Sequence, residues 1–237
     1  SGFEAITIKH LLTMSSGIKY HENGLPWGDD ALTYYFPDLR KMALSARIKE
    51  APGKHFQYDN FHPLLIGMIL ERATGMTVSR YLQEKIWKPL GMEYPATWSL
   101  DSDESGFEKM ESGLNARAID FARFGRLFLN GGAWNGRQII SQKWVTESTS
   151  PITVDREEYY NPAYDPSSAG RLTYAGYYTY FWWGYVRGEA KHDFYAAGRH
   201  GQYVYVCPQK NLILVRNGKK LGIDNWTRVL YEIATRI

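Results

Sequence analysis

The spacing of apolar side chains changes along this chain from a helical period to a period of two, and no other feature constrains the fold as strongly. Apolar residues recur every three to four positions between Asn60, which can cap a helix, and Gly75, which can end one. The same spacing predicts three further helices, at 78–87, 116–129 and 141–147. Near the C-terminus, alternation predicts four strands separated by Gly or Pro turns, at 178–186, 193–197, 202–206 and 212–216.

These elements together predict an α/β fold of the α+β type. It contains a mostly antiparallel sheet with helices on both faces, because the strands follow one another as a meander. Residues 18–35 are predicted to be a loop, and Asp224 is predicted to cap a final helix. The length is compatible with one large domain or two interleaved ones. We expect a single domain over 1–237, with a helical subdomain at 19–150 and the sheet and last helix at 151–237.

Composition and charge exclude several classes of protein. The net charge is only +3, and no run of Lys and Arg alternates with aromatic residues, so no nucleic-acid partner is expected. No stretch approaches the roughly 18 consecutive apolar residues that a membrane helix needs, so no membrane segment is expected in this chain. Cys207 is the only cysteine and the six histidines are scattered, which argues against an internal disulfide and against a metal site.

Residues 51–60 contain a Pro-Gly turn, then Tyr58-Asp59-Asn60, and lead into a predicted helix. In sequence and setting they resemble the Tyr-x-Asn motif of the penicillin-recognising, class C β-lactamase-like serine hydrolases. Five further segments resemble that family in the same order, at 7–17, 67–75, 88–92, 120–125 and 198–202. One tripeptide is weak evidence, but six collinear segments that span nearly the whole chain identify it as similar to this family.

The resemblance implies hydrolysis of an ester or amide through an acyl-enzyme, with no metal or organic cofactor. A serine hydroxyl needs a base, and a tyrosine with a reference pKa of about 10 can serve only where cations and hydrogen bonds favour its phenolate. By resemblance, Tyr58 would be this general base, and Asn60 would hold the family's lysine and the substrate by hydrogen bonds. Without its flanking segments, Tyr58 would be interpreted as a buried tyrosine that closes a loop.

A second candidate motif, Arg199-His200-Gly201, is predicted to lie at the edge of a strand that lines the cleft. By resemblance, Gly201 would let substrate lie along the backbone, and the Gln202 N–H would enter the oxyanion hole. Arg199 would anchor a substrate carboxylate, with His200 in the middle of the motif. A solvated strand-end arginine is the alternative for Arg199.

One weaker candidate is Ser112, which precedes the helix predicted at 116–129. It would either touch substrate or only shape its loop.

In the family, the nucleophilic serine and its lysine lie on a helix upstream of the segment that 7–17 matches, so both are expected before Ser1. Ser16-Gly17-Ile18-Lys19 satisfies Ser-x-x-Lys. It is rejected as the nucleophile, because Gly17 and Pro26 indicate a loop, whereas the motif must begin a helix so that both side chains share one face. We expect an N-terminally incomplete domain whose partner is the missing N-terminal segment of the same protein. A truncated, non-catalytic relative is the alternative.

The expected substrate is a small-molecule ester or amide. The matching segments are most similar to the esterase and 6-aminohexanoate-dimer hydrolase branch, and a β-lactamase or D-alanyl-D-alanine carboxypeptidase is the alternative. A non-catalytic ligand-binding module is the alternative from another class of protein. The location stays open, with a bacterial periplasmic or secreted protein favoured over a cytoplasmic one.

Overall fold

The computed structural model describes residues 2–22, 25–172, 175–189, 191–223 and 225–237, and the chain forms two compact units. The first unit consists of Ser1–Gln83, Thr97–Asn115 and Thr153–Thr173. The second consists of Glu84–Ala96, Ala116–Ile152 and Tyr174–Ile237. Each unit therefore gathers segments that are distant in sequence. One domain with a helical subdomain at 19–150, followed by the sheet and last helix at 151–237, stays a prediction.

Short helices dominate the first two thirds of the chain, and the longer strands lie near its C-terminus. The helices, in chain order, are α1 (Ile8–Leu12), α2 (Asp29–Tyr35), α3 (Leu39–Leu44), α4 (Phe61–Thr74), α5 (Val78–Leu82), α6 (Ala118–Leu129), α7 (Gln142–Thr149), α8 (Arg156–Tyr159), α9 (Ala169–Leu172) and α10 (Trp226–Arg236). The strands are β1 (Thr97–Trp98), β2 (Leu114–Asn115), β3 (Ala133–Trp134), β4 (Arg137–Gln138), β5 (Gly176–Thr179), β6 (Trp182–Gly188), β7 (Lys191–Gly198), β8 (Gln202–Cys207) and β9 (Leu212–Arg216). A π-helical segment, Gln83–Trp87, continues α5.

The first unit is built around α4, which contacts α1 and α3. Its core contains Leu39, Phe61, Leu64 and Phe107, each at most 5% exposed. The predicted end of α4 at Gly75 is confirmed, because Gly75 adopts the left-handed conformation that ends helices (φ 68°).

The predicted start of α4 is confirmed, but the predicted cap is wrong. Asn60 precedes the helix, yet its side chain makes no capping hydrogen bond, because its own backbone is already helical (φ −81°, ψ −14°). The carboxylate of Asp59 takes this role instead, and its Oδ1 accepts the His62 N–H at 2.9 Å. The Asn60 amide is therefore used elsewhere.

The predicted loop at 18–35 is also wrong in its second half, where α2 forms. Asp29 and Asp30 occupy its first turn, where negative charge favours a helix N-terminus. Asp29 Oδ2 also accepts the His21 N–H at 2.8 Å, which ties the preceding segment to the helix.

The second unit contains the predicted antiparallel meander, with strand order β5-β6-β7-β8-β9. The strand predicted at 178–186 is in fact two strands, β5 and β6, joined at Tyr180 and Phe181 (φ 41° and 65°). Such positive φ values usually require Gly or Asn, so the turn carries no sequence signal. Contacts elsewhere hold it, because the Tyr180 hydroxyl donates to Glu147 Oε1 at 2.6 Å.

Helices cover both faces of this sheet. A methyl group added at Gly125 of α6 would lie 3.2 Å from both Val204 of β8 and Ile213 of β9. Tyr205, the next residue after Val204, faces the opposite side of the sheet. On that side Arg187 donates to Tyr205 Oη at 3.4 Å and to the backbone oxygen of Tyr231, in α10, at 3.3 Å. The predicted fold class, a mostly antiparallel sheet flanked by helices, is confirmed. Asp224 lies outside the described residues, and Asn225 caps α10.

Gly184 provides a test of packing in this sheet. It pairs with Tyr177, and a methyl group on Gly184 would lie 1.9 Å from the Tyr177 ring. That ring is fixed, because its hydroxyl donates to Thr149 O at 2.5 Å. We expect Gly184→Ala to lower the free energy of unfolding by about 3 kcal/mol, measured by urea denaturation. Gly170→Ala, in the helix α9, is the control: a methyl group there meets nothing within 4 Å, so this substitution should not lower the free energy of unfolding.

In the described part of the chain, no helix has the length and apolar character required to span a bilayer.

Candidate functional site

The segment that contains Tyr58 is held on both sides by residues from a distant part of the first unit. The Phe56 N–H donates to Tyr159 O at 2.7 Å, and the Tyr58 N–H donates to Asp165 Oδ2 at 2.9 Å. Asp165 is itself 6% exposed. The Tyr58 backbone is therefore fixed by a buried carboxylate 107 residues away in sequence.

Tyr58 lines a cavity of about 420 Å³ within the first unit, which we call the Tyr58 cavity. Its wall combines aromatic and charged side chains, among them Lys19, Tyr20, Glu22, Lys49, Tyr164 and Asp165. Sequence reasoning missed the role of these residues, since they come from three separate segments. Lys19 belongs to the rejected Ser-x-x-Lys match, which gives it no role in a cavity.

The electrostatics of the cavity favour the neutral phenol at Tyr58. The pKa of Tyr58 is raised to about 12, mainly by burial; the charge of Arg171 opposes this shift, and the carboxylates of Glu22 and Asp165 add to it. The phenol therefore keeps its proton at neutral pH in this environment. It can act as a base there only if another positive charge approaches it.

Asn60 is buried beside the same segment. It is 9% exposed, and its Nδ2 donates to Thr33 Oγ1 at 2.8 Å. Thr33 Oγ1 in turn donates to Asp30 O at 2.8 Å. The Asn60 side chain is thus positioned by α2, the helix that the sequence did not predict.

Asp59, the next residue after Tyr58, meets a buried serine and a buried histidine. His62 Nε2 lies 2.5 Å from Ser16 Oγ and 3.3 Å from Asp59 Oδ2, while its Nδ1 lies 2.8 Å from Met14 Sδ. A catalytic histidine contacts its serine and its carboxylate through different ring nitrogens, whereas in this cluster both lie at Nε2. Ser16 is also 0% exposed. We interpret this cluster as structural, in agreement with the rejection of Ser16 as a nucleophile.

The cluster predicts a specific pH dependence of stability. Burial raises the pKa of Asp59 to about 8 from an ordinary value of 3.8. Because the folded protein holds this proton more tightly than the unfolded chain, the stabilisation is complete below pH 3.8 and is lost as the pH rises towards 8. Asp59→Asn cannot ionise and should remove this loss.

Urea denaturation of both proteins between pH 4 and 8 tests this expectation. The free energy of unfolding of wild type minus that of Asp59→Asn should fall with rising pH, by at most about 1.4 kcal/mol per pH unit. Burial also lowers the pKa of His62 to about 3, but both proteins keep this histidine, so the difference isolates Asp59. A difference that does not vary with pH would contradict the expectation.

Ser112 lies in a turn of the first unit. Its N–H donates to Lys109 O at 3.1 Å, and its Oγ donates to Glu111 Oε1 at 3.2 Å. Burial raises the pKa of Glu111. These contacts account for Ser112 as a turn residue, and a contact with substrate stays a prediction.

The Arg199-His200-Gly201 motif lies in the second unit, in the turn between the strands that were predicted at 193–197 and 202–206. Gly198 pairs with Gln202, so these three residues form the turn between β7 and β8. Arg199 and His200 are exposed. His200 and Gly201 both adopt positive φ (62° and 78°), as a tight connection demands. The sequence predicted a turn between these two strands, but not the positive φ at His200.

Gly201 and Gln202 are positioned by the last residue of β9 and by the segment that follows it. Arg216 Nη1 donates to Gly201 O at 2.5 Å, and a methyl group on Gly201 would lie 2.4 Å from the same nitrogen. The Gln202 side chain pairs with Gly218, accepting its N–H at 3.0 Å and donating to its carbonyl oxygen. Gln202 begins β8, and the use of its backbone N–H for an oxyanion stays a prediction.

The structure therefore places the candidate residues in two groups. Tyr58, Asn60 and Ser112 belong to the first unit, and the hairpin from Arg199 to Gln202 belongs to the second.

Comparison with known proteins agrees with the family resemblance found in the sequence. The beta-lactamase family model matches residues 1–222. The 6-aminohexanoate-dimer hydrolase of Paenarthrobacter ureafaciens is 27% identical over 209 residues, which are 85% of this chain and 48% of that protein. This chain thus spans about half the length of that relative.

Two solved structures extend the likeness to three dimensions. A Bacillus anthracis protein assigned as a 6-aminohexanoate-dimer hydrolase superposes with a TM-score of 0.75 at 25% identity, over 97% of this chain and 60% of that one. A penicillin-binding protein of Bacillus halodurans superposes with a TM-score of 0.69 at 17% identity, over 99% of this chain and 75% of that one. The second likeness concerns the fold alone.

Proposed function

The chain belongs to the beta-lactamase family, and from that premise we propose that it is part of a serine hydrolase that cleaves an ester or a small amide through an acyl-enzyme. Tyr58 is the general base in this proposal. The nucleophilic serine and its lysine belong to a segment outside these 237 residues.

One observation carries the proposal: Tyr58 lines a cavity, and its backbone is fixed by Asp165. With a pKa of about 12, the phenol is a poor base at pH 7 and a strong one once ionised. A lysine ammonium close to its oxygen would lower that pKa by favouring the phenolate. The serine proton would then pass to Tyr58 Oη as the serine oxygen attacks the carbonyl carbon.

The other candidates have supporting roles in this proposal. Asn60, already oriented by Thr33, would hold the lysine and the substrate amide or ester by hydrogen bonds. The Gln202 N–H would donate to the oxyanion, with Gly201 providing room for the substrate backbone. Ser112, Arg199 and His200 would contact the substrate beyond the reacting bond.

The order of substrate classes follows the comparisons. A relative named 6-aminohexanoate-dimer hydrolase matches 85% of this chain, so a small linear amide or a carboxylic ester comes first. Hydrolysis of a β-lactam or of a D-alanyl-D-alanine peptide is the second candidate, because the family model that matches residues 1–222 is that of the beta-lactamases.

Intact-mass spectrometry of the gene product that carries this chain tests the proposal. After incubation with a fluorophosphonate, a covalent adduct is expected, and hydrolysis of p-nitrophenyl butyrate should be lost in parallel. Benzylpenicillin in place of the fluorophosphonate tests the second candidate. A protein that binds small ligands but forms no adduct and cleaves no ester would instead be a binding module, and the proposal would be wrong.

A further inference from the structure

The segment 56–58, which carries the phenol of Tyr58, belongs to no helix or strand, so its backbone N–H groups need partners from elsewhere. The N–H groups of residues 56 and 57 donate to the backbone oxygens of Tyr159 and Met14, at 2.7 and 2.8 Å. The Tyr58 N–H instead donates to a side chain, Asp165 Oδ2, at 2.9 Å. Every residue has a backbone oxygen, so Asp165 is the acceptor of this segment that a substitution can remove.

The carboxylate of Asp165 is itself held in one orientation. It is 6% exposed, and its Oδ1 accepts the Ser167 hydroxyl at 2.6 Å and the Ser168 N–H at 3.1 Å. An aspartate that binds the residues two and three positions later forms a local turn, which fixes its side chain. Among the described residues, no ion pair contains Asp165. Its negative charge is therefore not neutralised by a paired cation, and it acts on neighbouring groups.

The phenol of Tyr58 is one of the groups on which this charge acts. Burial is the largest cause of the raised pKa of Tyr58; after it, the charge of Arg171 lowers this pKa, and Tyr34, Glu22 and Asp165 raise it. The other titratable side chains in the wall of the Tyr58 cavity are Lys19, Tyr20, His21, Lys49 and Tyr164. Asp165 combines its charge with a hydrogen bond to Tyr58 itself, so it affects both the position and the protonation of this residue.

We propose that Asp165 is a positioning residue for the base: its carboxylate fixes the backbone from which the phenol extends, and its charge adjusts how readily that phenol gives up its proton. This inference rests on the proposed function, since it adds a residue to the same reaction. Asp165 acts through Tyr58 in this role. A displacement of about 1 Å at a catalytic group can cost about a hundredfold in rate, so an acceptor at the backbone of the base affects catalysis.

Two substitutions separate the effect of position from the effect of charge. Asp165→Ala removes both the acceptor and the charge, whereas Asp165→Asn removes the charge and keeps one acceptor oxygen for the Tyr58 N–H. Asp155→Asn is the matched control, because it makes the same chemical change at an exposed carboxylate of the same segment, Thr153–Thr173. Asp155 caps α8, and asparagine is an equally good cap, so the control should keep the fold.

Amide hydrogen exchange of the gene product that carries this chain, followed by mass spectrometry, measures position without requiring catalysis. In Asp165→Ala, a peptide over 56–60 should exchange about tenfold faster than in wild type, because the Tyr58 N–H loses its buried acceptor. Exchange in α6, which belongs to the second unit, should be unchanged if the variant is folded. Asp155→Asn should match wild type in both places. Wild-type exchange over 56–60 in a folded Asp165→Ala would overturn the inference.

The dependence of p-nitrophenyl butyrate hydrolysis on pH measures the effect of charge. In Asp165→Asn, the rate should rise at a lower pH than in wild type, because loss of a negative charge favours the phenolate. Asp165→Ala should show the same displacement, with kcat about tenfold lower and KM little changed, because the position of the base matters in the transition state. Asp155→Asn should keep the wild-type profile.

A profile of Asp165→Asn that coincides with that of wild type would also overturn the inference, since a purely structural carboxylate changes stability and leaves the pH profile in place. This comparison decides the matter if Asp165→Ala does not fold. The proposed function fails separately. A wild type that cleaves no ester contradicts the hydrolase assignment, and faster exchange over 56–60 in Asp165→Ala would still show that Asp165 holds Tyr58.

Discussion

Replacing Tyr58 by phenylalanine should lower kcat/KM for ester hydrolysis by about 10²- to 10⁴-fold, the usual contribution of a positioned general base. The substitution removes only the hydroxyl group. The ring and the hydrogen bond from the Tyr58 N–H to Asp165 are kept, so the fold should be unchanged. The loss should fall mainly on kcat, because proton transfer occurs in the transition state. Steady-state kinetics with p-nitrophenyl butyrate measure it.

Tyr35→Phe provides the matched control for this experiment. Tyr35 ends α2 in the same unit and is 82% exposed, so the same chemical change is made away from the cavity. Its kcat/KM should equal that of wild type. If Tyr58→Phe retained more than about a third of the wild-type value, Tyr58 would not be the base.

Replacing Asp193 by alanine should lower the free energy of unfolding by about 3–5 kcal/mol. Asp193 lies in β7 with its side chain 0% exposed, and its Oδ2 accepts from Arg187 Nε at 2.6 Å and from the Tyr205 hydroxyl. Arg187 is itself only 13% exposed. Removal of the carboxylate would leave a buried guanidinium without its counter-charge, which costs more than the pair contributes.

The exposed pair between Arg228 and Glu232 provides the comparison for Asp193→Ala. Its nitrogen and oxygen lie 3.0 Å apart, but the side chains are 75% and 43% exposed. Glu232→Ala should therefore cost less than about 1 kcal/mol. Urea denaturation of both variants measures the two losses in the free energy of unfolding. Equal losses would mean that burial adds nothing to the Asp193 ion pair.

The parts of the fold that could be predicted from sequence are those with local causes. The apolar spacing and the glycine at position 75 predicted α4, and the pattern near the C-terminus predicted β9 with its observed bounds. The turn at Tyr180 and Phe181 could not be predicted, because its residues are not those that such turns prefer, and a side chain from α7 holds it. Tertiary contacts therefore decided this turn against its local signal.

The same distinction applies to the candidate site. Tyr58 could be found because its motif and setting are contiguous in sequence. The walls of its cavity could not, because Lys19, Lys49 and Asp165 converge only in the folded unit. The turn between β7 and β8 was predicted at its observed place, but the positive φ of His200 was not, because histidine gives no sequence signal for that conformation.

The acylation rate as a function of pH tests the central claim most directly. Single-turnover kinetics of the gene product that carries this chain, with p-nitrophenyl butyrate, should show a rate that rises with an apparent pKa well below the value of about 12 to which burial raises the pKa of Tyr58. That rise should be absent in Tyr58→Phe and present in Tyr35→Phe. An identical profile in wild type and Tyr58→Phe would contradict the assignment of this phenol as the base.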